Sequence, residues 1–349
     1  MRRGAMTRRN AAGSDVEAFL LDLGLHAPKL RDVLLDSTGA MAAAKLAPTH
    51  RALLRRGVPR DISRAVVLTR AARSGRRRPR RAGELIVVGT GIDIFTQLTP
   101  EARAWIEAAD EVLYVVGDAA AARFIRTLNP RAESLITLYA QDKRRDKTYE
   151  QMVQRMLAGV RGGSLVCAAL YGHPGVLTYA SHEAIRRARR EGFSARMLPG
   201  ISTDACLFAD VGLDPSRGYQ SFEATHFVVH RRRRFDPTSA LVLWQVDSLG
   251  DPTFQESGFT ARHLPVLRDI LIEHYGARHE VVLYRAPVFP TAAPEIRRVR
   301  LGRLTRRDVQ SVTMYVPAKE RPAPDTDMLK RLGLSLHQWR PRGPTRIAD

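Results

Sequence analysis

Three observations predict an α/β fold. An apolar run of strand length, Leu85 to Val88, breaks into a turn with glycines at Gly89 and Gly91. From Gly83 onward, strand-like and helix-like segments alternate, and from about Asp15 to Leu68 the pattern is helical throughout. A run that is apolar at every position suits a parallel strand buried on both faces, and repeated strand, loop, helix units imply a parallel sheet with covered faces. In such sheets ligands collect at the loops beyond the strand C-termini. A dinucleotide fingerprint would need a third glycine where Asp93-Ile94-Phe95-Thr96-Gln97 stands, so a plain Rossmann assignment is rejected.

The chain opens with a basic segment, residues 1–14, which lacks the apolar core of a signal peptide. Residues 15–69 read as a small all-α domain: Val16, Phe19, Leu20 and Leu23 share one face, and Leu30, Val33 and Leu34 the next. Short helices are expected at Ala42 to Leu46 and Thr49 to Arg56, the latter stopped by Gly57 with Pro59 beyond. Residues 70–82 are Arg-rich, have no apolar period and read as a linker.

Residues 83–213 form the first α/β unit. Pro100 after Thr99 opens a helix, followed by strands at Val112 to Val116 and Leu135 to Leu138, the second ending at Tyr139. A helix from Thr148 aligns Met152, Val153, Met156, Leu157 and Val160. Ser164 to Leu170 is a strand, then come Tyr171 to Val176, a basic helix around Ala184 to Arg190, a strand at Ala195 to Leu198, the turn Pro199 to Ser202, and a helix at Asp204 to Val211. Gly89, Tyr139, Tyr171 to Val176 and Pro199 to Ser202 therefore fall on one rim. Residues 214–320 read as a second α/β unit, with strands at Ala240 to Val246, Glu280 to Ala286, Glu295 to Leu301 and Ser311 to Val316 and a helix near Leu264 to Tyr275. The tail, 321–349, carries one short helix near Met328 to Leu332.

The 349 residues carry a formal charge of +20. Much of the basic excess lies in Arg runs such as Arg231 to Arg234, without interleaved aromatics, so base stacking is unsupported and nucleic acid is not the expected partner. The two cysteines, Cys167 and Cys206, sit far apart in apolar stretches, which favours buried free thiols and a cytoplasmic setting. No stretch is long and apolar enough for a membrane span. His and Cys do not occur at ligand spacing, so no metal is expected.

Taken in order, Ile86 to Ile92, Leu138-Tyr139, Arg145 with Thr148-Tyr149, Tyr171-Gly172-His173-Pro174-Gly175-Val176, Met197 to Ser202, Cys206 to Asp210, Trp244-Gln245-Val246 and Met314 to Pro317 resemble the tetrapyrrole methylase superfamily. More narrowly they resemble its borosin branch, the peptide-backbone α-N-methyltransferases. The resemblance covers about Gly83 to Leu334 and implies a two-domain tetrapyrrole-methylase-like fold. The unit at 15–69 resembles the helical borosin-binding domain. In fungal fusions that domain follows the methyltransferase and precedes the peptide that is methylated, whereas here it comes first, so a peptide supplied in trans is expected.

A backbone amide nitrogen is a poor nucleophile because its lone pair is delocalised into the carbonyl. Methylating it requires removal of the amide proton and stabilisation of charge on the imidate oxygen. A tyrosine can act as the base where a cation favours its phenolate, and Tyr149 with Arg145 supplies such a pair across a loop-to-helix junction. The resemblance implies Tyr149 as base, Arg145 as stabiliser, Tyr171 as a second hydroxyl near the methyl group and Tyr139 as an orienting group. A further tyrosine usual between Tyr139 and Tyr149 is absent. The resemblance also implies S-adenosylmethionine as cofactor, touched by Tyr171, His173, Val176, Ser202, Thr203, Gln245, Ala286, Val312 and Thr313, and a homodimer. Two competing readings are carbon methylation of a tetrapyrrole, and a peptide-binding protein whose catalysis has decayed.

Overall fold

The computed structural model describes residue 19 and residues 37–56, 83–230, 235–320 and 322–339. The Arg-rich linker, the Arg231 to Arg234 run, the segment 1–14, most of the helical unit and the last residues of the tail lie outside the described residues.

Two helices of the N-terminal unit are described, α1 (Ser37–Ala43) and α2 (Pro48–Arg56), rather than helices at Ala42 to Leu46 and Thr49 to Arg56. The first sheet comprises β1 (Glu84–Gly89), β2 (Glu111–Val115), β3 (Ala132–Ser134), β4 (Leu165–Leu170) and β5 (Ser194–Met197), in the order β3-β2-β4-β1-β5 with every pair parallel. The helices around it are α3 (Ile94–Gln97), α4 (Pro100–Ala108), α5 (Ala119–Leu128), α6 (Arg145–Arg161), α7 (Tyr179–Arg190) and α8 (Thr203–Val211).

The apolar run in β1 has the cause expected of it. Leu85 and Val87 face Met152, Val153, Met156 and Leu157 of α6, while Ile86 and Val88 face Trp105 and Ile106 of α4 on the other side. All four strand residues are fully buried, which contributes roughly 6–12 kcal/mol of gross transfer free energy before chain entropy is charged against it.

Three local expectations need correction. Leu135–Leu138 is a 3-10 helix and not a strand; Ser134 caps it by accepting from the Ile136 N–H, and only Ala132–Ser134 pairs with β2. Helix α6 begins at Arg145 and not at Thr148, so Arg145 and Tyr149 stand one turn apart on one helix instead of straddling a junction. The last strand of the second unit begins at Thr313, because Ser311 is held at φ 52°, off the extended backbone.

The second sheet holds β6 (Tyr219–Glu223), β7 (Ala240–Trp244), β8 (Glu280–Arg285), β9 (Glu295–Arg300) and β10 (Thr313–Val316), in the order β6-β7-β10-β8-β9. Only β6 and β7 are parallel; the remaining pairs are antiparallel. Helices α9 (Ala224–Val229) and α10 (Leu264–Tyr275) belong to this half, and α11 (Thr326–Arg331) lies in the tail. One large apolar cluster, including Leu243, Leu267, Leu271, Leu283 and Met314, fills one face of the sheet. The opposite face, through Val242, Trp244, Val282 and Tyr284, meets Leu207 and Val211 of α8 and Ile92. A side-chain bond reinforces that junction, the Tyr284 hydroxyl donating to Asp210 at 2.6 Å.

Candidate active site

The loops after β1, β4 and β5 converge because their backbones touch. Gly172 N–H donates to Gly91 O at 2.9 Å, and Gly91 N–H returns a bond to Gly172 O at 3.3 Å. A Cβ placed on Gly89 would lie 2.4 Å from Gly172 O, and one on Gly200 would lie 2.5 Å from the same oxygen and 2.8 Å from Gly89 Cα. Only glycine fits at Gly89 and Gly200, for reasons of space and not of φ. The knot sits at the C-terminal ends of β4, β1 and β5, where the chain, having run out through β2 and β3, returns past β1. It is the switch-point crevice of an open parallel sheet.

Beside the knot lies a cavity of about 320 Å³. Tyr139, Tyr149, Tyr171, His173, Val176, Ser202, Thr203 and Gln245 all line it. Ala286, Val312 and Thr313 are buried and do not line it. Residues that the sequence reading did not place at the site also contribute: Met152, Leu177, Thr178 and Tyr179, with Ile92 and Trp244 from the motif segments. Tyr179 could have been found as an aromatic shortly after the Gly-His-Pro-Gly turn, where it opens α7; Met152 gave no signal beyond core character.

Within the cavity Tyr149 stands between two other rings. Tyr139 meets it edge-on at 6.5 Å between centroids, and Tyr179 lies 6.5 Å away on another side. Burial pushes the Tyr139 phenol well above its ordinary range, the negative charge of an ionised Tyr149 and a hydrogen bond to it push further, and Arg145 pulls back only in part. Burial also pushes Tyr171 up to about 12, so it remains a hydroxyl donor at neutral pH.

Arg145 lines an adjoining groove together with Tyr149, Tyr179 and Gln245. Its guanidinium donates to Asp251 O, lies 5.6 Å from the Phe259 ring centroid, and its backbone N–H donates to Pro252 O at 2.9 Å. These contacts form one side of a strap in which residues 142–145 run antiparallel to 252–254: Asp142 N–H donates to Phe254 O and Phe254 N–H to Lys143 O, both at 2.9 Å. Phe254 then lies 4.8 Å from the Tyr139 ring.

His173 serves its own turn. Its Nδ1 accepts from the Gly175 N–H at 2.9 Å, which leaves Nε2 to carry the proton of the neutral ring. Gln245 holds φ 56° and ψ 40° and Leu177 holds φ 54°, so two non-glycine residues in left-handed conformations border the cavity. Such strain gathers at ligand sites. Ser202 is tied to Asp204 by a short hydroxyl-to-carboxylate bond. Cys167 is buried beneath the sheet, and Cys206 is half-buried with its sulfur 3.7 Å from Gln97 Nε2. Among the described residues, no group of three His, Cys, Asp or Glu could hold a metal ion, and no helix is long and apolar enough to cross a membrane.

The cavity suits a small ligand that carries positive charge. The glycine knot permits close backbone approach, and the electron-rich faces of Tyr139, Tyr149, Tyr171 and Tyr179 suit a neighbouring cation. Its volume lies at the small end of the range for small-molecule pockets.

Comparison with known proteins agrees with this geometry. The family described as Tetrapyrrole (Corrin/Porphyrin) Methylases matches residues 84–291. The methyltransferase and ribosomally synthesized cyclic peptide dendrothelin A precursor of Dendrothele bispora is 41% identical over 258 residues, 72% of this chain and 62% of that protein. The corresponding gymnopeptides precursor of Gymnopus fusipes is 38% identical, covering 76% of this chain and 68% of its own, and the omphalotin A precursor of Omphalotus olearius is 40% identical, covering 73% and 62%. This chain thus spans less than two thirds of the Dendrothele and Omphalotus proteins.

Proposed function

We propose that this chain, which belongs to the tetrapyrrole (corrin/porphyrin) methylase family and within it to the borosin-type methyltransferases, α-N-methylates backbone amides of a ribosomally made peptide, using S-adenosylmethionine. The observation that carries this reading is the placement of Tyr149, between two tyrosine rings and one helical turn beyond Arg145, at the mouth of the glycine-bounded cavity.

When bound, S-adenosylmethionine supplies an electrophilic methyl group. The chain's own residues prepare the amide. The Tyr149 oxygen would accept the amide proton, leaving the nitrogen lone pair free to take the methyl group as the sulfur–methyl bond breaks and sulfur departs as a neutral thioether. Arg145 stabilises the phenolate before that transfer and the imidate oxygen during it. Tyr139, the phenol held protonated, donates to Tyr149 or to the substrate carbonyl and fixes its orientation. Tyr171 stays neutral and contributes a hydroxyl near the reacting carbon. His173, Val176, Ser202, Thr203 and Gln245 are the cofactor contacts that border the cavity. Ala286, Val312 and Thr313, buried and outside the cavity lining, have no part in this reading.

The relatives' names join methyltransferase and peptide precursor in one protein, which supports a peptide substrate. In this chain we place that peptide in trans, because the segment after the helical unit at 15–69 is the Arg-rich 70–82 and not an apolar stretch. That helical unit acts as the recruiter, and the working protein is a cytoplasmic homodimer.

Tandem mass spectrometry tests this reading: the protein alone, then with apolar candidate peptides, each with S-adenosylmethionine, examined for single-methylene mass steps on backbone amides. Tyr149→Phe should lower the rate by about 10²–10⁴-fold while leaving cofactor affinity unchanged. Absence of any mass step from the wild-type protein with bound cofactor would overturn the proposal.

A further inference from the structure

The outer face of α7 continues the active-site groove. A groove of about 720 Å³ runs past Arg144, Arg145, Tyr149 and Tyr179 to His182. A second hollow, of about 480 Å³, begins at the same His182 and is lined by Ile185, Arg186, Arg189, Arg190 and Met197. The two share His182 on α7 and lead away from Tyr149; Asp146, Glu223 and Asp251 line the first along with Arg144 and Arg145, whereas the second has no carboxylate and sets its arginines beside Ile185 and Met197. Tyr179, His182, Arg186, Arg189 and Arg190 are all exposed.

The charge on this face is only partly compensated. Arg187, on the inner side of the helix, is paired with Glu150 and Glu183, and Arg186 shares Glu183. Arg189 donates its Nε–H to Ala195 O at 2.9 Å, and among the described residues no carboxylate forms a salt bridge with Arg189 or Arg190, although Arg190 lies near enough to the exposed Glu191 to help Arg161 hold that carboxyl below its ordinary range. His182 is committed only to Gly175 O at 3.0 Å. An ordinary solvated helix face interleaves both signs, whereas this stretch from Tyr179 to Arg190 exposes no acidic residue. Nothing in the transfer chemistry uses these groups.

From this we infer that this face of α7 is a docking lane for an acidic segment of the peptide substrate, lying next to the amide that is methylated. Tyr179 and Arg190 are eleven residues apart along a helix, about 16 Å, which an extended chain spans with about five residues. Alternate side chains of such a segment would rest on Ile185 and Met197 while its carboxylates meet Arg186, Arg189 and Arg190 in charge-assisted bonds. The inference rests on the proposed peptide substrate, and its partner is defined by chemistry: a run of Glu or Asp beside an apolar stretch.

The test compares two fluorescein-labelled peptides, one Val-Gly octapeptide carrying a five-Glu tract and the same octapeptide carrying five Gln, by anisotropy with the full-length protein at physiological ionic strength. Wild type should bind the Glu peptide at least about tenfold more tightly. Arg189→Glu with Arg190→Glu should erase that preference. Arg190→Glu alone, which keeps the Arg189 bond to Ala195, should reduce it severalfold with no change in melting temperature. Arg298→Glu with Arg307→Glu makes the same charge change on the remote second unit and should leave the preference intact. Equal loss in the remote variant would mean undirected attraction to a basic protein, and full displacement by a short single-stranded oligonucleotide would mean a nucleic-acid surface. Either result, or no Glu preference in the wild type, overturns the inference. Mass steps are measured separately, so a Glu preference without methylation would sink the proposed activity and spare the lane, and methylation indifferent to Arg189 and Arg190 would do the reverse.

Discussion

Gly89→Ala is the sharpest probe of how the site is built. The added methyl would lie 2.4 Å from Gly172 O, 2.8 Å from Gly200 Cα and 2.8 Å from Pro174 Cδ. To reach 3.0 Å, the least that real Cβ atoms tolerate, the Gly172 oxygen must withdraw by 0.6 Å, and it is backbone that no rotamer change can move. Withdrawal strains the paired bonds between Gly91 and Gly172. Overpacking costs about 1–3 kcal/mol, and weakening a backbone pair adds up to about 1 kcal/mol, which places the total near 3 kcal/mol. For a domain of this size that lowers the melting temperature by roughly 6–12 °C. Because all three loops shift together, S-adenosylmethionine affinity should fall by at least about tenfold. Gly117→Ala is the control: a Cβ there meets nothing within 4 Å, and its backbone needs no positive φ. Calorimetric melting and titration of cofactor into both variants decide the matter. A Gly89→Ala protein that melts within about 2 °C of wild type and binds the cofactor within twofold would refute the knot as described.

Three further outcomes follow from the same geometry. Phe259→Ala removes the ring beneath Arg145, a contact worth about 1 kcal/mol, and should lower kcat about fivefold with cofactor binding unaltered; an unchanged kcat would show that Phe259 does not position the guanidinium. Iodoacetamide should label Cys206 slowly, should be blocked by bound cofactor, and should reach Cys167 only on unfolding, since Cys167 is fully buried. Tyr171 and Tyr275, both pushed up to about 12 chiefly by burial, hold protons that the unfolded chain sheds near 10, so their contribution to stability is full below about pH 10 and is lost between pH 10 and 12. Urea midpoints that rise across that interval would contradict this sign.

What was legible in the sequence was the part governed by period and by backbone. Leu85 to Val88 announces a doubly covered strand because each face has its own helix, and the glycines after it mark the loop knot. The rim order followed from the parallel topology. Residues 135–138 misled because Leu-Ile-Thr-Leu has strand composition, yet Ser134 caps a 3-10 turn there, a local bond that outweighs propensity. The antiparallel pairing in the second sheet was not legible at all, since alternation within a strand is silent about the direction of its neighbour. Asp210 gives no sign in the sequence of its partner, and only the fold brings Tyr284 to it. Tyr179, Phe254 and Phe259 were passed over for the same reason: each acts through a partner far off in sequence.

The absent family tyrosine between Tyr139 and Tyr149 takes on a different meaning once the strap is in view. With a short loop, residues 140–144 have little means of their own to fix Arg145. The second half of the chain supplies it, through Pro252 O to the Arg145 amide, Asp251 O to its guanidinium, and Phe259 beneath. Phe254 fills the space beside Tyr139 with a ring that carries no hydroxyl. The strap therefore fixes Arg145 and packs beside Tyr139 without adding a hydroxyl there. It also joins the two halves of the fold at the point where charge develops. A motion that parts them would break the bonds from Asp251 O and Pro252 O that hold the Arg145 guanidinium and amide, while Arg145 and Tyr149 would keep their one-turn spacing on α6.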